Sequence, residues 1–326
     1  MQRLSRAGFK KEFVHPAILP DWWDENCAED SRLLQDIEFR VARFLGLPLA
    51  TVRDAAVALT PPAYPQAQLR RVRDLDRDRL GPAIHSAMRI AAAVVRCMRM
   101  APSRAAVPPA DGLAWRNAIS RDGPAVSLQN IVSDLWARGI PVVPLDVLPA
   151  PSFQGIACVV EDRPVILLAH KHDEPGRVAF LAAHEAGHVS AGDCSPGQPV
   201  VDEEEEIGDD TDIETRADRF ATRVVIGDDA VPDVDGGSFK ELARLAAKVE
   251  RTTGADASAV IFAWARRTGD YAKATMAVNA LYRGAGARRQ LRQAFDRYID
   301  LGAATESDRA LLRCVHGDPE RDEAAL

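Results

Sequence analysis

The first third of the chain has its apolar residues mostly at helical spacing. Leu33, Leu34, Ile37, Val41 and Leu45 mark one face of a helix beginning near residue 31. Gly46-Leu47-Pro48 breaks that pattern, and a second short helix is expected over residues 50–59. The phrase Val41-Ala42-Arg43-Phe44-Leu45-Gly46, followed by a turn and a helix, can be read as a plain helical hairpin or as a blurred helix-turn-helix. Thr60-Pro61-Pro62-Ala63-Tyr64-Pro65 is a breaker. A long helical stretch is expected over about 67–100, and residues 101–112, rich in Pro, Ala and Ser, have the composition of a linker.

The pattern then changes. Ile131, Leu135 and Trp136 define an amphipathic helix over 127–138 that stops at Gly139. Ile140-Pro141-Val142-Val143 predicts a short strand. Two apolar runs, 155–160 and 164–168, flank Glu161-Asp162-Arg163 and predict a β-hairpin. Val178, Phe180, Leu181 and Val189 set a helix over 177–191, ended by Gly192-Asp193. An acidic loop over 195–211 leads into a helix over 212–225, and a further loop over 227–237 follows. The remainder, 239–315, is mainly helical, with a polar tail from His316. The division that results is a helical N-terminal domain over 1–105, a linker over 106–112, a mixed domain over 113–232 and a helical C-terminal domain over 236–326.

Composition narrows the class. With 41 Lys and Arg against 48 Asp and Glu the net charge is −7, so the overall field does not favour nucleic acid. The charge is uneven, however. Nine arginines from Arg70 to Arg104 crowd one stretch, and Asp202, Glu203, Glu204, Glu205, Glu206, Asp209, Asp210 and Asp212 crowd another. Two solvated faces explain this as well as two partners do. Cys27, Cys97, Cys158, Cys194 and Cys314 are scattered and form no C-x-x-C, which fits free thiols in a reducing cytosol rather than a disulfide framework. The basic start, Met1 to Lys11, is followed by no apolar stretch of signal-peptide type, and no run of about 18 apolar residues predicts a membrane helix.

The chemistry concentrates at His184-Glu185-Ala186-Gly187-His188, an H-E-x-x-H expected on a helix. Four residues advance about one turn, so His184 and His188 share a face and can grip one zinc ion. Glu185 is rotated away from them, where it can accept a proton from water. A third ligand is needed. The following helix offers Glu214 and Asp218, one turn apart on one face. Glu214 is the longer and reaches across as a ligand, and Asp218 is placed to accept the other ring N–H of a bound histidine. The acidic residues 202–206 are alternatives, but a loop orients ligands poorly. His170 and His172 read as surface histidines at a strand end, with transition-state donation as a secondary role.

These segments together resemble the ImmA/IrrE family of bacterial metallopeptidases over about residues 113–226. The resemblance is carried by Leu135-Trp136-Ala137-Arg138-Gly139-Ile140, by Gly155-Ile156 of the hairpin, and by Arg177-Val178-Ala179-Phe180-Leu181-Ala182-Ala183 leading into the H-E-x-x-H. It closes on Glu214-x-x-Ala217-Asp218-x-Phe220-Ala221. Asp218 stands where the family often has Asn, the loop after Cys194 is unusually acidic, and the Met-Pro expected after the glutamate helix is missing. The resemblance implies His184, His188 and Glu214 as ligands of one Zn2+ and Glu185 as catalytic base. It also implies a cytosolic protease that cuts a transcriptional repressor or similar partner in stress response or mobile-element control. The fold expected is α+β and mostly helical. A zincin-like core of a small sheet, an active-site helix and a glutamate helix lies between helical N- and C-terminal regions, and the exposed edge of the hairpin holds substrate as an added strand. The rival is a DNA- or protein-binding regulator with a structural or vestigial zinc site, for which the arginine-rich stretch is the support. Hydrolysis of another amide would use the same chemistry.

Overall fold

The computed structural model describes residues 1–20, 22–61, 64, 68–70, 77–99, 101–120, 126–150, 153–169, 172–202, 212–227, 237–281 and 286–316. The N-terminal helices are α1 (Gln2–Arg6), α2 (Lys11–Ala17), α3 (Ser31–Leu45), α4 (Leu49–Arg53) and α5 (Arg77–Arg96). The middle of the chain holds α6 (Gly112–Ile119), α7 (Leu128–Ala137), α8 (Pro175–Ala191) and α9 (Asp212–Val225). Five more follow: α10 (Phe239–Thr253), α11 (Ala257–Thr268), α12 (Tyr271–Leu281), α13 (Ala287–Tyr298) and α14 (Glu306–His316). The strands are β1 (Gln68–Arg70), β2 (Val142–Pro144), β3 (Gly155–Val160), β4 (Arg163–Leu168) and β5 (Val200–Asp202). They form one mixed sheet in the order β1-β5-β3-β4-β2, parallel at its two outer pairs and antiparallel inside. The fold is α+β and mostly helical, as expected. No helix among the described residues is long and apolar enough to cross a membrane.

Local chemistry explains the well-defined elements. Ser127 and Asn130 form a reciprocal capping box at the start of α7, and Gly139, at φ 78°, takes the left-handed conformation that turns the chain into β2. Glu161 and Asp162 join β3 to β4 with φ of 51° and 61°, the left-handed pair that a two-residue hairpin turn of native twist requires.

Elsewhere the structure departs from the pattern. In α3 the buried positions are Ile37, Val41, Ala42, Phe44 and Leu45, and Leu34 faces solvent. The helix expected over 50–59 ends at Arg53, because Arg3 of α1 donates to the carbonyls of Val52, Thr51 and Val57 and satisfies backbone that a longer helix would have used. The helix that follows Gly46 is thus five residues long, Leu49–Arg53. The helix expected over 67–100 is divided into β1 and α5. The acidic loop expected over 195–211 contains β5, whose Val200 and Val201 are wholly buried; residues 203–211 lie outside the described ones.

The strand β5 changes the expected substrate edge. It pairs with β3 opposite residues 155–157, and Val159 meets Pro196 further along. On its other side β3 is paired with β4, and β4 with β2. Both hairpin strands are therefore interior, and the edge predicted to be exposed is covered by the chain itself.

One cluster of buried apolar side chains runs from Leu4 to Val315 and draws on all parts of the chain. Arg96 of α5 ties to Asp308 of α14 at 2.5 Å and to Glu161 at 3.1 Å, and Arg99 donates to the carbonyl of Ile299. These two arginines of the basic stretch are thus engaged within the molecule. In the same cluster, His85 is buried among Phe9, Phe44 and Tyr64, with Nε2–H donating to the carbonyl of Phe44 at 2.8 Å. Burial, with the Arg89 charge adding, pushes its pKa below the usual value despite that bond. The neutral ring is favoured in the fold, so the unfolded chain takes up a proton first as pH falls. Stability supplied here is complete above about pH 6.5 and is lost below it, by up to about 1.4 kcal/mol per pH unit. Urea titrations at pH 7.5 and 5.5 should show a larger loss for the wild type than for His85→Gln. Equal losses would remove His85 from this role.

Candidate metal centre

The helix α8 is buried from Val178 to Val189, which makes it the central helix rather than a surface one. Pro175 opens it and Gly192, at φ 73°, closes it. α9 approaches it closely because small residues meet at the crossing. A Cβ added to Gly187 would lie 3.2 to 3.4 Å from Phe220 and Ala217. Trp115 of α6 stacks on Phe220 at 5.8 Å, and Arg116 donates to the carbonyls of Val224 and Val225 at 2.8 and 2.9 Å. That guanidinium serves the last turn of α9, and Gly227 leaves the helix at φ 96° where the Met-Pro was missing.

This packing brings Glu214 to the two histidines. His188 Nε2 lies 3.1 Å from His184 Nε2, and the two carboxylate oxygens of Glu214 lie 3.4 and 3.5 Å from those nitrogens. Two imidazoles and one carboxylate thus present donor atoms all within 4.8 Å of one another, a group that could hold a metal ion. The separations fit a tetrahedral centre, since metal–ligand bonds of about 2.0–2.1 Å place neighbouring donors about 3.3 Å apart. Both Glu214 oxygens are buried and meet no well-placed hydrogen-bond donor, as expected of atoms whose partner is a cation.

The outer ring nitrogens are also held. His184 Nδ1 is 2.8 Å from Asp218 Oδ1, and His188 Nδ1 is 3.0 Å from Asp193 Oδ2. His188 Nδ1–H donates to Asp193, and His184 Nδ1 lies within ion-pair reach of Asp218, so both outer nitrogens face carboxylates and both Nε2 atoms face the centre. Each carboxylate is held in turn by an arginine: Asp218 by Arg266 Nε at 2.6 Å, Asp193 by Arg216 Nη2 at 2.5 Å. The electrostatics favour positive charge between the donors. Burial and the Arg266 cation press the His184 pKa down, but Asp218 and Glu214 outweigh them and lift it to about 10. Burial lowers that of His188. Burial acts to raise the Glu214 pKa, but the His184 ring beside it, then His188 and Arg266, bring it down to about 2.

Glu185 is 1% exposed and is not one of the three donors. Its carboxylate rests on β3 at Gly155, where an added Cβ would overlap Oε1. A Gly155→Ala chain should therefore keep its metal while losing the placement of Glu185. The expected result is unchanged metal content with the Glu185 carboxylate displaced in a structure of the variant; an unmoved carboxylate would show that the strand yields instead. Cys158 and Cys194 lie near Glu185. Burial drives the Cys158 thiol well above its usual pKa and that of Cys194 to about 12, and neither belongs to the donor group.

The sequence-derived residues are thus placed as follows. His184, His188 and Glu214 come together, Glu185 stands beside them, and Asp218 holds His184. His172 is not in the donor group, and His170 lies outside the described residues. Asp202 ends β5 opposite Gly155, and residues 203–211 are outside the described ones. Sequence reasoning missed Asp193, Arg216, Arg266 and Gly155. For Asp193 a signal existed: Gly192 in the left-handed conformation folds the chain back, and Asp193 N–H donates to His188 O at 3.0 Å. An Asp after a helix-ending Gly, one turn past a ligand, is placed to reach that ligand's ring. No family model matches the chain, and neither a curated protein nor a solved structure matches it.

Proposed function

We propose that the chain is a zinc-dependent endopeptidase with a zincin-like core formed by the sheet, α8 and α9, related to the ImmA/IrrE metallopeptidases that its motifs resemble. The observation that carries this reading is the donor set: three protein ligands, with a buried acid, Glu185, next in sequence to one of them and outside the set. A structural zinc site is closed by four protein ligands and needs no base, whereas a catalytic one keeps a position open.

Zinc held by His184, His188 and Glu214 would supply Lewis acidity toward water and the scissile carbonyl. Glu185 takes a proton from the attacking water and returns it to the leaving amine. Asp218 and Asp193 keep both imidazoles in the tautomer that donates outward. The proposed substrate is a cytosolic protein, of the repressor type that the resemblance implies. Because the donors and Glu185 are buried, peptide entry requires a movement that exposes them, and the three-residue pairing of β5 beside Gly155 borders that acid.

That same burial favours a second reading, a metal that only ties α8 to α9. Comparing the proteomes of cells expressing the wild type or Glu185→Gln separates the two. One protein cleaved only with the wild type supports the peptidase, and identical proteomes favour the structural metal.

A further inference from the structure

The helix α11 belongs to the C-terminal stretch that none of the sequence motifs touch, yet it lies along α8 in the same direction. Three rungs, four residues apart on both helices, show this. At the first, a Cβ on Gly176 would overlap Asp256 and approach Ser258 Oγ at 2.6 Å. At the second, Phe180 meets Phe262 edge-on at 5.3 Å, and the Arg177 guanidinium lies 4.6 Å from the Phe262 ring centre. The third rung brings Arg266 level with His184. Arg266 Nε is 2.6 Å from Asp218 Oδ1, and Nη2 is 4.0 Å from Glu214 Oε2. The Arg266 side chain is 3% exposed, a degree of burial that arginine rarely reaches unless it is paired.

We infer that Arg266 is a positioning residue of the metal centre, holding Asp218 against His184 Nδ1 so that the His184 Nε2 lone pair points at the metal. The inference rests on the reading of His184, His188 and Glu214 as zinc ligands. Asp218 sits at the rim of the site, 22% exposed, whereas the ring it faces is wholly buried. A single oxygen, Oδ1, is shared between the imidazole and the guanidinium, so the arginine fixes the rotamer in which the aspartate serves the histidine. The counterpart on the other ligand is weaker, because Arg216, which holds Asp193, is half exposed.

Arg266 could instead act only as a counter-charge for the buried carboxylates, and the two roles have opposite signs. A guanidinium 4.0 Å from Glu214 repels a metal cation. If charge balance is all that it provides, its removal tightens zinc binding. If it positions Asp218, its removal loosens zinc binding.

The test is the zinc Kd of the full chain, measured by chelator competition for the wild type, Arg266→Met, Asp218→Asn and the double variant, with folding checked by circular dichroism. Zinc binding weaker by about 10- to 100-fold is expected for Arg266→Met. The double variant should bind about as well as Asp218→Asn alone, because the arginine acts through that aspartate. Equal or tighter binding by Arg266→Met, or fully additive losses in the double variant, would overturn the inference. Should Arg266→Met fail to fold, Arg266→Lys keeps the charge but loses the guanidinium geometry. A loss of several-fold there supports the inference, and unchanged affinity sinks it. A wild-type chain that binds no zinc would overturn the metal reading itself, an outcome distinct from all of these.

Discussion

Glu185→Gln is expected to leave folding and zinc content unchanged and to lower peptide cleavage by about 10²- to 10⁴-fold, the usual contribution of a positioned general base. The amide has the shape of the carboxylate, so the packing against Gly155 survives. It carries no charge, so a site that is 1% exposed gains no new desolvation cost. What disappears is the basicity of the oxygen that takes the proton. The measurement is cleavage of the protein identified by the proteome comparison, with zinc analysis of the same preparations. A variant that cuts at the wild-type rate would show that Glu185 is not the base. A variant that loses its zinc would show that Glu185 belongs among the ligands.

Glu214→Ala is expected to abolish zinc binding, taking the metal content from one per chain to none after dialysis. Two imidazoles remain, and the third donor has no substitute at the right distance: among the described residues the donor group has only three members. Asp218 is occupied with His184 Nδ1 and Arg266. The variant should also lose zinc-dependent stabilisation, which is about 2.7 kcal/mol for a ligand at 100 times its Kd. Thermal unfolding with and without added zinc reads this directly: a shift in the wild type, none in the variant. Asp218→Asn, by contrast, should weaken zinc binding without removing it. If Glu214→Ala kept a full equivalent of zinc, Asp218 or the acidic segment after β5 would have to supply the ligand.

The elements legible in the sequence are those with strong local signals. The capped helix α7, the hairpin with its left-handed turn, and α8 and α9 with their ligands all carry their own periodicity and stop residues. Glu214 could be found because it shares a helix face with Asp218 one turn on. What escaped depends on distant partners. β1 and β5 have three residues each, too few for an alternating pattern, and exist because β5 pairs with β3 and β1 with β5. α4 stops early because Arg3 reaches in from another helix. The hairpin edge, open as the sequence suggested it, is covered by a strand from within an acidic stretch. Arg266 reaches the site because α11 follows α8 rung by rung, and no local pattern around it reports that alignment.

The central claim is a zinc ion on two imidazoles and one carboxylate, with a position left for water. X-ray absorption at the zinc edge, on the purified wild-type chain, tests it most directly. The expected result is a shell of nitrogen and oxygen at about 2.0–2.1 Å with the outer scattering of two imidazoles. A sulfur shell at about 2.3 Å would put Cys158, Cys194 or another thiol on the metal and contradict the claim, as would a protein that holds no zinc at all.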